Sequence, residues 1–210
     1  MPYLFLFSAD ALDESQVEPL FAPQAKLLAA AGHEVAVLAD EVLAGDRLRL
    51  PHGEGPVVYR GWMVTPPQYQ VLAAAVESAG RRCLTSPQQY AQAHYLPNWY
   101  PQLVGLTAQT AVLPADCDLP AELASLGWDG FFLKDYVKSL KTAGGSVLRQ
   151  PAEASRWLAE MLDDRGAIEG GICVRQLEEY RAGSEMRYFV VNGRPFAPAA
   201  DAEIPDLVQE

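Results

Sequence analysis

Along the first third of the chain the apolar residues alternate between two spacings. PYLFLFSA (2–9) is strand-like, Val17, Leu20, Phe21, Leu27, Leu28 and Ala31 mark a helix over Ser15 to Ala31 that Gly32 ends, and HEVAVLAD (33–40) is strand-like again. That order predicts the opening of a βαβ layer. The turn-rich GDRLRLPHGEGP leads to a further strand in VVYRGWMV, after which Thr65 and Pro66-Pro67 open a helix with Tyr69, Leu72, Ala73 and Val76 on one face and Gly80 as its stop. Arg60 thereby falls near a strand end, where ligands of open α/β sheets tend to sit.

From Ser86 the stretch SPQQYAQAHYLPNWYPQL predicts a short capped helix broken by Pro97 and Pro101, with Tyr90, Tyr95, Trp99 and Tyr100 available to pack a corner between lobes. A short strand around TAVL, a helix from Leu119 to Leu126 ended by Gly127, and the strand GFFLKD follow. Pro151 starts another helix, whose Ala154, Trp157, Leu158, Met161 and Leu162 obey the helical rule until Gly166. GICVRQLEEY reads as a strand running into a polar turn, and Asn192-Gly193 in SEMRYFVVNGRPFAP signals a hairpin. Residues 199–210 (AADAEIPDLVQE) open what reads as one more helix.

Composition narrows the class. Half of the 210 residues are apolar and a fifth charged, as in ordinary globular chains, and no apolar run reaches the roughly 18 residues of a membrane span. The N-terminus lacks a basic segment before its apolar run, unlike a secretory signal. A net charge of −11 argues against nucleic-acid partners. Cys83, Cys117 and Cys173 are odd in number and widely spaced, which fits reduced thiols in a cytoplasmic protein. Neither these nor His33, His52 and His94 have metal-ligand spacing, and no Ser-His-Asp or Cys-His arrangement is indicated.

Against this acidic background Lys134, Lys138 and Lys141 stand out, close to Ser139, Thr142, Gly144, Gly145 and Ser146. Small residues let backbone N–H groups approach a polyphosphate while ammonium groups neutralise it, although GxxxxGK[ST] is absent. By composition alone such a segment is equally a solvated surface loop.

The order RGWM, HYLPNWYP, FFLKDYVKS, CVRQLEEY and SEMRYFVVNGRP resembles the ATP-grasp superfamily, and within it the clade named for one arginine and two lysines, over Val57 to Pro198. The resemblance implies an α/β, ATP-grasp-like fold: a pre-ATP-grasp layer over 1–108, then α+β nucleotide-binding lobes over 109–210, the last incomplete. It implies Lys134 on the α- and β-phosphates, Lys138 and Ser139 beside it, and a loop from Lys141 through Gly144 and Gly145 to Ser146 that closes over the triphosphate. Gln176 and Leu177 would meet the adenine edge, and Glu178 or Glu179 the ribose. Glu185 and Arg187, two apart on one strand face, would lie near the γ-phosphate. Arg60 would approach phosphate or a substrate carboxylate, and His94 and Trp99 would line the acceptor pocket.

The implied activity is ATP-dependent ligation of a carboxylate to an amine or thiol through an acyl phosphate, with peptides or proteins among the substrates. The family pattern continues past the hairpin into acidic strands and a Glu-x-Asn element that bind magnesium. Here only Asp201, Glu203, Asp206 and Glu210 follow Arg187, with no such element. A piece of a longer ligase is therefore expected, the alternative being a non-catalytic nucleotide-binding or interaction protein of the same fold. An α/β enzyme using the first layer would need a glycine fingerprint, and FSADALDE has none.

Overall fold

Three parallel strands lie at the N-terminal end of the chain: β1 (Leu4–Ser8), β2 (Glu34–Leu38) and β3 (Val57–Tyr59), in spatial order β2-β1-β3. The computed structural model describes residues 2–141, 144–191, 193–197 and 203–206. Helix α1 (Ala22–Ala30) connects β1 to β2. It is shorter than its sequence pattern predicts, because Val17 bridges Ala9 and the Glu18 N–H donates to the Ser8 carbonyl, which holds the start of the expected helix extended against the end of β1.

Helix α2 (Pro66–Ser78) starts where expected, and for a local reason. The Thr65 hydroxyl accepts the Gln68 N–H while the Gln68 side chain accepts the Thr65 N–H, and Pro66 has no N–H to leave orphaned. Ser86 and Gln89 repeat this arrangement ahead of α3 (Pro87–His94), and α4 (Leu96–Trp99) follows at once. Leu4, Leu6, Leu38 and Val57 from the strands and Tyr69, Leu72 and Val76 from α2 make the first core. At its rim the buried Arg81 guanidinium pairs with Glu34 at 2.7 Å and donates to the carbonyls of Pro51 and Gly55, which pins the 51–55 loop.

The second sheet is antiparallel, in order β4-β7-β5-β6, from β4 (Thr110–Leu113), β5 (Phe131–Asp135), β6 (Val147–Leu148) and β7 (Ile172–Gln176). Helices α5 (Leu119–Leu126) and α6 (Ala154–Arg165) pack on one of its faces. Both end at glycines with φ of 65° and 73°, Gly127 and Gly166, in the left-handed conformation a C-terminal stop requires. A second core forms there from Leu123, Phe131, Leu133, Trp157, Met161, Ile172 and Val174. Because strand side chains alternate between faces, Phe132, Lys134, Cys173 and Arg175 point to the other side.

Stacked rings join the two cores. Tyr69 and Tyr90 are parallel within 2° at 4.0 Å, Tyr90 stacks on His94 at 4.9 Å, and Tyr95 meets Tyr136 edge-on at 5.6 Å. Leu96 N–H donates to the Tyr136 carbonyl at 3.0 Å in the same seam. The hairpin of β8 (Phe189–Val191) and β9 (Arg194–Phe196) forms as the sequence predicts, with Gly193 at φ 74°; Asn192 lies outside the described residues. The helix expected over 199–210 falls largely outside them as well.

Candidate functional site

Lys134 leaves the middle of β5 on the face opposite the second core and is half-buried. Register places it across from Cys173, with Phe132 across from Arg175 and Thr110 next to Arg175 on the far side. Burial is the main force holding the Lys134 ammonium below its ordinary range, and the Arg175 charge adds to it. The same burial pushes the Cys173 thiol up to about 12, so it stays a neutral neighbour.

After β5 the chain reverses through a turn built on Asp135. Its fully buried carboxylate accepts the N–H of Val137 at 2.7 Å and that of Lys138, while its own N–H donates to the Lys138 carbonyl at 3.0 Å. The turn brings Ser139 back beside Lys134, with which it forms an antiparallel bridge. The structure thus gathers Lys134, Lys138 and Ser139, the first three members of the expected phosphate site.

Ser146 has a role that composition hid. Its buried hydroxyl accepts the Leu140 N–H at 2.8 Å and the Trp157 indole N–H at 3.3 Å, and its carbonyl accepts the Leu133 N–H at 2.8 Å. That hydroxyl clamps the two ends of the 141–145 loop together and is not a free phosphate ligand. Within the loop Lys141 is exposed, Gly145 sits at φ 62°, and Gly144 lies so close to Glu160 and Arg156 of α6 that a Cβ there would collide with both. Thr142 lies outside the described residues.

Gln176 ends β7 with its N–H donating to the Gln109 carbonyl, and Leu177 N–H donates to the carbonyl of Gly130 at 3.0 Å. Leu177 therefore presents its carbonyl alone. Glu178 and Glu179 are exposed, and Glu178 accepts the Tyr180 hydroxyl at 2.6 Å. Glu185 and Arg187 differ from expectation. Strand β8 begins only at Phe189, so both lie in exposed irregular chain, and neither pairs with a described residue. With no ladder partner, nothing fixes an alternation of faces there.

Arg60 follows β3 at the carboxyl end of the parallel sheet, where its guanidinium donates twice to Gln24 at 3.3 Å. It borders a cleft of about 200 Å³ with Phe21, Tyr59, Trp62 and Tyr90, and a second of about 450 Å³ adjoins it at Tyr59, Trp62 and Met63. A larger cavity of about 710 Å³ lies between the 45–52 loop and α2, lined by none of the expected site residues. His94 sits in the seam with its Nε2 4.0 Å from Glu169, and burial lowers its pKa from 6.5 more than that carboxylate raises it. The Lys138 and Lys134 charges lower it further and the Asp135 charge opposes them. Trp99 ends α4 and is partly buried.

Sequence reasoning missed Asp135 and Arg175 and gave Ser146 a different part. Asp135 had a signal, since aspartate side chains bond the backbone two residues on and so open turns. The roles of the other two become visible only through cross-strand register and helix packing.

No protein-family model and no curated protein sequence matches the chain. Solved structures do. A RimK domain protein ATP-grasp from Sphaerobacter thermophilus is 16% identical, with a TM-score of 0.55 over 84% of this chain and 65% of that one. D-alanyl-alanine synthetase A from Vibrio cholerae is 13% identical, with a TM-score of 0.55 over 93% of this chain and 65% of that one. The ATP-grasp ligase PsnB, complexed with precursor peptide PsnA2 and AMPPNP, is 13% identical, with a TM-score of 0.54 over 98% and 77%. The chain spans less than two thirds of the length of the first two. Its fold is that of the ATP-grasp ligases, an α/β layer followed by α+β lobes.

Proposed function

We propose that this chain binds ATP and belongs to an ATP-dependent ligase that joins a carboxylate to an amine or thiol. The observation that carries the reading is the convergence of Lys134, Lys138 and Ser139 on a turn rigidly held by buried Asp135, within an ATP-grasp fold. Half-buried ammonium groups at such a turn suit a polyphosphate. The Leu177 carbonyl is free for the adenine amino group, and the exposed Glu178, whose carboxylate has acceptor capacity beyond its bond from Tyr180, would take the ribose hydroxyls. Gln176, Lys141, Gly144, Gly145 and Glu185 complete the proposed nucleotide contacts.

In the proposed reaction a carboxylate oxygen attacks the γ-phosphorus and ADP leaves; an amine then displaces phosphate from the acyl carbon and loses its proton. The residues of this chain contribute position and charge: Arg60, Lys138 and Arg187 would neutralise the transferred group and the substrate carboxylate. Among the described residues no group of three or more His, Cys, Asp or Glu side chains could hold a metal ion. They do not fit the magnesium expected of the family. The substrate class extends to peptides, as PsnB was crystallised with a precursor peptide. The division at 1–108 and 109–210 is supported by the two separate cores, and the cytoplasmic assignment by three free cysteines.

Calorimetry tests the reading. Lys134→Ala is expected to weaken ATP binding by about tenfold or more, one such factor being about 1.4 kcal/mol, while Lys26→Ala on α1 leaves it unchanged. Absence of ATP binding to the wild type would sink the proposal.

A further inference from the structure

The face of the second sheet that carries Lys134 holds a second cation. Arg175 is half-buried on β7, and register puts it one pair along from Lys134, with only Phe132, Thr110, Cys173 and Val112 as its immediate cross-strand company on that face. No carboxylate is among them, since Asp135 belongs to the opposite face. One terminal nitrogen of the guanidinium donates to the Thr107 hydroxyl. Its Nε is buried with no hydrogen-bond partner, and Arg175 forms no ion pair among the described residues.

Such an arrangement is costly as it stands. Two like charges are partly withdrawn from water on one sheet face, and the Arg175 charge makes the charged form of Lys134 less favourable, in a protein of net charge −11 that has acids to spare. A buried guanidinium nitrogen without an acceptor adds to the cost. A structural arginine would have been neutralised by one of those acids, as Arg81 is by Glu34.

We propose that Arg175 is a phosphate-binding residue, forming with Lys134 a two-cation cradle on the open sheet face for the polyphosphate of a nucleoside triphosphate. The planar fork can keep its bond to Thr107 and turn another N–H to a phosphate oxygen. The inference deepens the ATP-binding reading and rests on it for the nucleoside. The two-cation face requires only an anion.

The test titrates the full chain with three probes: ATP, inorganic tripolyphosphate and uncharged adenosine. Arg175→Gln should weaken ATP and tripolyphosphate by about tenfold, the size of one charge-assisted contact, and leave adenosine unchanged. Arg175→Lys should retain most of the phosphate affinity, and Thr107→Val, which removes the structural bond but no charge, should change it little. The proposal is overturned if Arg175→Gln leaves both phosphate probes unaffected, if adenosine weakens in parallel, or if the wild type binds no phosphate probe. Arg175-dependent binding of tripolyphosphate without binding of ATP would leave the cradle standing and remove the nucleotide reading.

Discussion

The lysine turn and the C-terminal hairpin both carry residues of the proposed ATP site, yet they are held in place by different means. From Lys134 to Leu140, and at Ser146, the backbone is fixed by buried groups: the Asp135 carboxylate, the Ser146 hydroxyl and the Trp157 indole. Among the described residues from Leu177 to Phe196 there is no comparable anchor. Phe189, Val190, Val191 and Phe196 are each more than half exposed, and Glu185 and Arg187 have no partner among the described residues. A side chain can be preorganised for a ligand only where its own support is buried and hydrogen-bonded. The turn meets that condition and the hairpin does not.

Substitutions can break or sharpen that contrast. The largest effect is expected for Trp157→Ala, which removes a fully buried indole from the second core and the donor to Ser146; urea unfolding should show a loss of about 3–5 kcal/mol. Ser146→Ala should cost about 1–3 kcal/mol, because the N–H groups of Leu140 and Trp157 lose their acceptor. Hydrogen exchange at Leu140 should speed up in that variant, and unchanged exchange would mean that the hydroxyl does not clamp the loop. The smallest effect is expected for Phe189→Ser, within about 0.5 kcal/mol, as at exposed surface sites. A cost there rivaling that of Trp157→Ala would mean that something covers the hairpin in solution, and the contrast would collapse.

Much of the fold was legible because its signals are local. The helix around Leu119 to Leu126 was readable from apolar spacing and the Gly127 stop, and β1, β2, β4 and β5 from their apolar runs. The helix expected from Ser15 failed because its first turn is paired instead with the end of β1, Val17 with Ala9 and Glu18 N–H with the Ser8 carbonyl. Strand β6, two residues long, carries too little pattern to be seen. In the site, the lysines were visible as unusual charge, whereas the significance of Arg175 depends on which strand lies beside β7. Ser146 was misread for a related reason: a serine among glycines looks like a ligand until Trp157, eleven positions on, is found to point at it.

The ring stack beside the first core has a mechanical consequence. Hydrogen bonds resist a change of angle, but two parallel rings 4.0 Å apart keep most of their contact when one slides or turns over the other. Tyr69 on α2 and Tyr90 on α3 therefore act as a bearing: they oppose separation of the two helices while tolerating small rotations of one on the other. The antiparallel sheet is reached one step further along α3, where Tyr95 meets Tyr136, so a swivel of α3 on α2 can be passed to the lysine turn without opening the first core.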